Sequence, residues 1–134
     1  MGRIKINPNR EEHTMDKIRY QTGQKMLSQL HGGHVGEAMV QELGDICPEF
    51  VDMTIEWSFG EIASREGIDL KTRELVIIAS CVTLGHAVPQ LEAHIEAALK
   101  IGCSKQEIVE VILQMSIYAG MASASNQGYR MDIF

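Results

Sequence analysis

Between Asp69 and Ala124 the chain reads as three apolar helical runs, and two of them carry an ionisable residue, Glu74 and His94, within the apolar stretch. This constrains the fold more than any other feature. A charge on an apolar helix face is costly unless it is paired or used, so the fold must give each group a partner or a task. The first run continues after Glu74 as LVIIASCV. It is apolar nearly all round, which predicts a central helix from about Lys71 to Leu84, with Asp69 as its N-cap. Gly85 to Val88 is the break, and Pro89 restarts the chain as a first-turn residue. The second helix should run to about Lys100 and stop at Gly102. Ser104 and Glu107 form a capping box, each satisfying a free backbone donor at the start of the third helix. Ile108, Val111, Ile112 and Met115 share one face of it. Gly120 interrupts, Ala122 to Ser125 permit close backbone approach, and a final short helix is expected from Gln127 to Met131.

Upstream, Asn7-Pro8 reads as a helix start, with Asn as cap and Pro in the first turn. Glu11 and Glu12 suit the positive end of the helix dipole, and Gly32-Gly33 should stop this helical arm of about 8–31. Met26, Leu27 and Leu30 on the arm look for an apolar partner. A short helix follows from about Val35 to Leu43. Cys47-Pro48 is a boundary, because the residue before proline avoids helical geometry. A helix from about Pro48 to Arg65 then places Phe50, Val51, Ile55, Phe59 and Ile62 on one face. Trp57 is read as core or subunit interface. β-alternation never extends beyond a few residues. The fold is therefore expected to be all-α, a single domain over 1–134 of about six to seven antiparallel helices around a central hairpin. With 45% hydrophobic residues but only 5% aromatics, the core should be aliphatic, filled out by 8 Met.

Charge and motifs exclude several classes. A net charge of −6 and a pI near 5.3 argue against a general nucleic-acid binder. No apolar run has the length of a membrane span or a secretory signal, so no membrane partner is expected. Cys47, Cys81 and Cys103 are odd in number and widely spaced, which fits a reducing, cytoplasmic setting rather than a disulfide framework. Phosphate-binding glycine loops, the HExxH zinc motif and the GxSxG elbow are all missing. His31 and His34 flank two glycines, which rules them out as a helical ligand pair. Acid–base groups remain, with no metal or cofactor site.

Helical rise locates those groups on the hairpin. Glu74 lies ~15 Å below the turn and His94 ~9 Å below it, an offset of ~6 Å that long side chains or one water can span. Cys81 lies nearer the level of His94, and His86 sits at the mouth of the turn. Each also has a bland reading. Glu74 in a first helical turn is favourable on dipole grounds alone. His94 between Leu91, Ile95 and Ala98 is the kind of histidine that simply packs. His86 in a loop is solvated, and Cys81 in an apolar helix is an inert packing residue.

The segment DLKTRELVIIAS, followed by QLEAHIEAALKIGCSKQEIVEVILQMSIYAG, resembles the core of the carboxymuconolactone decarboxylase family, within the alkylhydroperoxidase D-like superfamily. The likeness covers about 68–127 and is strongest from Gln90 to Gly120. It implies an all-α protomer in a ring-like homo-oligomer, a trimer or a hexamer. It also implies cofactor-independent loss of CO2 from 4-carboxymuconolactone, a small carboxylated lactone of aromatic-compound degradation. His94 matches the family histidine as acid–base group, and Glu74 matches the glutamate that orients it or holds the shared proton. Arg73 or Arg130 would pair substrate carboxylates, with His86 and Cys81 lining the site. The redox branch of the superfamily carries a Cys-x-x-Cys ahead of the histidine. Here that region reads His86-Ala-Val-Pro89, which disfavours a thiol-dependent peroxidase, since peroxide reduction needs an attacking and a resolving thiol. A non-catalytic oligomer that binds a small molecule is the third reading, with Glu74 and His94 as a static pair.

Overall fold

The computed structural model describes residues 14–32 and 35–130, and every element among them is helical. The helices are α1 (Thr14–His31), α2 (Val35–Ile46), α3 (Pro48–Met53), α4 (Leu70–Leu84), α5 (Val88–Lys100), α6 (Lys105–Tyr118) and α7 (Met121–Arg130). The helix expected from Pro48 to Arg65 does not keep α-geometry. After α3 it widens into a π-helix from Thr54 to Ile62. The chain divides into two compact units at Gly67. The family-like core of the sequence thus falls in the second unit. The helix start at Asn7-Pro8 and residues Gly33, His34 and Met131 lie outside the described residues.

In the first unit, α1 lies against the π-helix at very short range. A Cβ placed on Gly23 would overlap the Ile55 carbonyl, and one on Gly60 would overlap the Arg19 carbonyl. Only glycine permits this backbone-to-backbone crossing. Tyr20, Leu27, Val51 and Ile55 form the apolar cluster around it. Leu27 and Leu30 are thus buried within their own unit, where the arm finds its apolar partner. Polar contacts, buried at Asp52 and Glu56 and reaching the surface at Arg19 and Glu61, accompany the cluster. The Tyr20 hydroxyl donates to Asp52 Oδ1 at 3.0 Å, and the Arg19 guanidinium pairs with Glu56, with Glu61 at 3.7 Å.

The wide winding explains why the predicted apolar face splits. With hydrogen bonds reaching five residues back, as from Ala63 N–H to the Ser58 carbonyl at 2.8 Å, a turn holds more than 3.6 residues. Val51, Ile55 and Phe59, four apart, stay on the inner face. Ile62 swings outward and is exposed, Phe50, in α3 ahead of the π-helix, is exposed as well, and Trp57 is 64% exposed, which removes the core alternative for it.

The second unit is built from α4 to α7 around Ile78, Val82, Leu91, Ala98, Ile108 and Ile112. Its punctuation follows the local chemistry. Asp69 caps α4, accepting from the Thr72 backbone N–H at 2.9 Å and the Thr72 hydroxyl at 2.7 Å. The Ser104–Glu107 capping box is formed in both directions. Gly85 ends α4 in the left-handed region at φ 75°, which favours a residue without a Cβ.

Two expectations change. α4 is not enclosed all round: Glu74, Ile78, Cys81 and Val82 are buried, while Val76 and Leu84 are exposed. The segment after Gly120 is helical from Met121 onward, not a small-residue stretch followed by a short helix. Serine weakens helices by bonding to local backbone. The Ser123 hydroxyl is instead committed to the Val82 carbonyl on α4, at 2.7 Å.

Candidate active site

The two ionisable residues of the hairpin meet directly. Glu74 projects from the second turn of α4 and is 1% exposed. His94 projects from the middle of α5, with a side chain 20% exposed. Their contact, Glu74 Oε2 to His94 Nδ1, is 2.7 Å. The ~6 Å axial offset expected from helical rise is closed by the side chains themselves, without a bridging water.

The geometry has a chemical consequence. A carboxylate oxygen accepts, so Nδ1 carries the proton in this contact. Nε2 is then the ring nitrogen that Glu74 does not engage. Glu74 thereby favours one tautomer and steadies the ring. A buried orienting acid behind a partly exposed histidine is the logic of a general acid–base pair.

The other candidate residues are placed as follows. Cys81 is buried, two helical turns beyond Glu74 on the same face of α4. Burial first, and the Glu74 charge second, raise its thiol above the usual range. Such a thiol is a weak nucleophile at neutral pH. Cys103, also buried, is raised by the same leading cause, and its Sγ contacts the Lys71 carbonyl at 3.8 Å. His86 is exposed, and its Nδ1 contacts the Leu84 carbonyl at 2.9 Å, so it caps the end of α4. Arg73 is half-buried on α4 beside Glu74. Arg130 ends α7, and its side chain lies outside the described residues. Among the described residues no group of three or more His, Cys, Asp or Glu is placed to hold a metal ion, and no helix is long and apolar enough to cross a membrane.

Sequence reading missed the role of Gln127. It is 3% exposed, and its Nε2 donates to the Gly85 carbonyl at 2.8 Å. With Ser123 on Val82 and His86 on Leu84, three side chains serve two of the last carbonyls of α4 and that of its C-cap, Gly85. A helix end leaves such carbonyls without intrahelical partners. The available signal was the four-residue spacing of Ser123 and Gln127, which puts both on one face of a helix.

An all-helical unit whose central hairpin brings a buried glutamate against a partly exposed histidine defines the structural class. Within that class, a model of the carboxymuconolactone decarboxylase family matches residues 48–128. The chain is 33% identical over 116 residues to 4-carboxymuconolactone decarboxylase of Acinetobacter baylyi, covering 87% of this chain and 85% of that protein. It is also 36% identical over 104 residues to an uncharacterised 15.0 kDa protein from the nqo9–nqo10 intergenic region of Paracoccus denitrificans, covering 75% of each. The chain belongs to the carboxymuconolactone decarboxylase family.

Proposed function

We propose that this protein is a carbon–carbon lyase that removes CO2 from a small carboxylated lactone of the 4-carboxymuconolactone type. The single observation that supports this reading most is the direct 2.7 Å contact between buried Glu74 and His94. The reaction needs no resident cofactor in this reading. When the carboxylate leaves as CO2, the electron pair of the broken C–C bond passes through the ring double bond to the lactone carbonyl. The resulting enolate then takes a proton at carbon. His94, as imidazolium, delivers that proton from Nε2 and is left as the neutral ring with its proton on Nδ1, held by Glu74. Arg73 is the cation assigned to the substrate carboxylate, where a guanidinium forms charge-assisted bonds.

The protein is further proposed to act as a homo-oligomer, a trimer or a hexamer, in the cytoplasm. Exposed Leu113, Ile117, Tyr118 and Met121 around the α6–α7 junction support association. Three free thiols suit a reducing compartment. The test is CO2 release from a panel of carboxylated lactones beside the His94→Gln variant. Turnover by the unsubstituted chain and its loss in the variant are expected. A ligand that raises the melting temperature but is never turned over would instead favour a binding protein.

A further inference from the structure

We propose that Gln127 is a positioning residue for the Glu74–His94 pair, acting through the turn that joins α4 to α5. The inference rests on the pair described above and deepens that reading. Glu74 lies on one arm of the hairpin and His94 on the other, and the chain between the arms is only Gly85, His86 and Ala87. The turn therefore sets how one arm is rotated and advanced against the other. Gln127 holds that turn from α7 through its 2.8 Å bond to the Gly85 carbonyl. The neighbouring Ser123 bond to Val82 anchors the same end of α4 one turn lower.

The amide can only face one way. The Gly85 carbonyl accepts and cannot donate, so the NH2 group must point at it. This leaves Gln127 Oε1 buried and without a hydrogen-bond partner. A buried orphan acceptor costs at least as much as one ordinary hydrogen bond gains. Gln127 is thus poorly explained as a source of stability, and a methionine of similar length should cost little at this position. Its distinctive contribution is the direction it imposes on the Gly85 carbonyl.

The imidazole tautomer of His94 reports that role directly. A free neutral imidazole favours the proton on Nε2, whereas contact with Glu74 requires it on Nδ1. The experiment is 15N NMR of the imidazole nitrogens in the full-length protein at alkaline pH, with thermal melting alongside. The unsubstituted chain should show Nδ1–H at His94 by roughly 10:1 or more, the ratio expected of a hydrogen bond to a charged group. Gln127→Met and Gln127→Leu, which both remove the donor without adding a charge, should both bring His94 to a mixture near or below about 3:1. A purely structural Gln127 would lower the melting temperature and leave the tautomer alone. A single Nδ1–H tautomer that survives both substitutions overturns the role. Mixed tautomers in the unsubstituted chain would overturn the pair itself and this role with it. Lack of CO2 release beside the expected NMR result would contradict only the proposed reaction.

Discussion

Replacing His94 by leucine should expose how much the hairpin depends on its polar contact. Glu74 is 1% exposed, so water cannot substitute for the lost Nδ1–H donor. Stranding a buried carboxylate in this way costs about 3 kcal/mol. For a chain of this size that lowers Tm by roughly 10 °C. Glu74→Leu should cost less, about 1 kcal/mol, because the His94 side chain is 20% exposed and its ring can partly rehydrate. The double substitution replaces a polar pair by two apolar side chains of similar volume and should cost no more than about 1 kcal/mol. The singles then overshoot the double by about 3 kcal/mol, well beyond the ~0.5 kcal/mol scatter of independent sites. Urea unfolding followed by far-UV circular dichroism, with m-values compared across the four proteins, measures this. Additive single and double costs would refute the claim that Glu74 and His94 act as one buried unit.

Other consequences follow from named contacts. Gly23→Ala should destabilise the first unit by about 1–3 kcal/mol, because its methyl would meet the Ile55 carbonyl; thermal melting checks this. The Thr72 backbone N–H, then its hydroxyl, lowers the Asp69 pKa, and the Ser104 backbone N–H, then Lys71, lowers that of Glu107. Because both folded-state values lie below the unfolded ones, their stabilisation is present above the usual carboxylate range and is lost as pH falls through and below it. Acid titration of stability should therefore be shallower in Asp69→Asn with Glu107→Gln. Cys47 is exposed while burial raises the Cys81 thiol, so a thiol reagent near neutral pH should modify Cys47 quickly and Cys81 only as fast as the chain opens. Equal rates at the two would contradict the packing around Cys81.

Much of the second unit was legible because its signals are local. Asp69, Gly85, Gly102 and the Ser104–Glu107 box act within a few residues of where they stand, and they bound the helices found there. Helical rise brought Glu74 and His94 within reach of each other, in a cluster with Cys81 and His86, and the family resemblance singled out the two that the structure joins. The π-helix was not legible. Its residues repeat at nearly the spacing of an α-helix, and the widening becomes evident only where Gly23 and Gly60 bring two backbones together. Gln127 and Ser123 escaped notice for a related reason. Their partners are carbonyls 42 and 41 residues away, and a carbonyl carries no residue-specific signature. The start of α7 was misplaced because the small residues Ala122 to Ser125 read as a site of close backbone approach, and small size alone does not mark a helix start.

The most direct test of the proposed chemistry is decarboxylation of 4-carboxymuconolactone in deuterated water, following CO2 release and deuterium on the product carbon. The unsubstituted protein should release CO2 and place one deuterium on carbon. His94→Gln should be slower by a factor of about 100 to 10,000, the usual contribution of a positioned acid–base group. Undiminished turnover in His94→Gln would contradict the assignment of the proton to that imidazole.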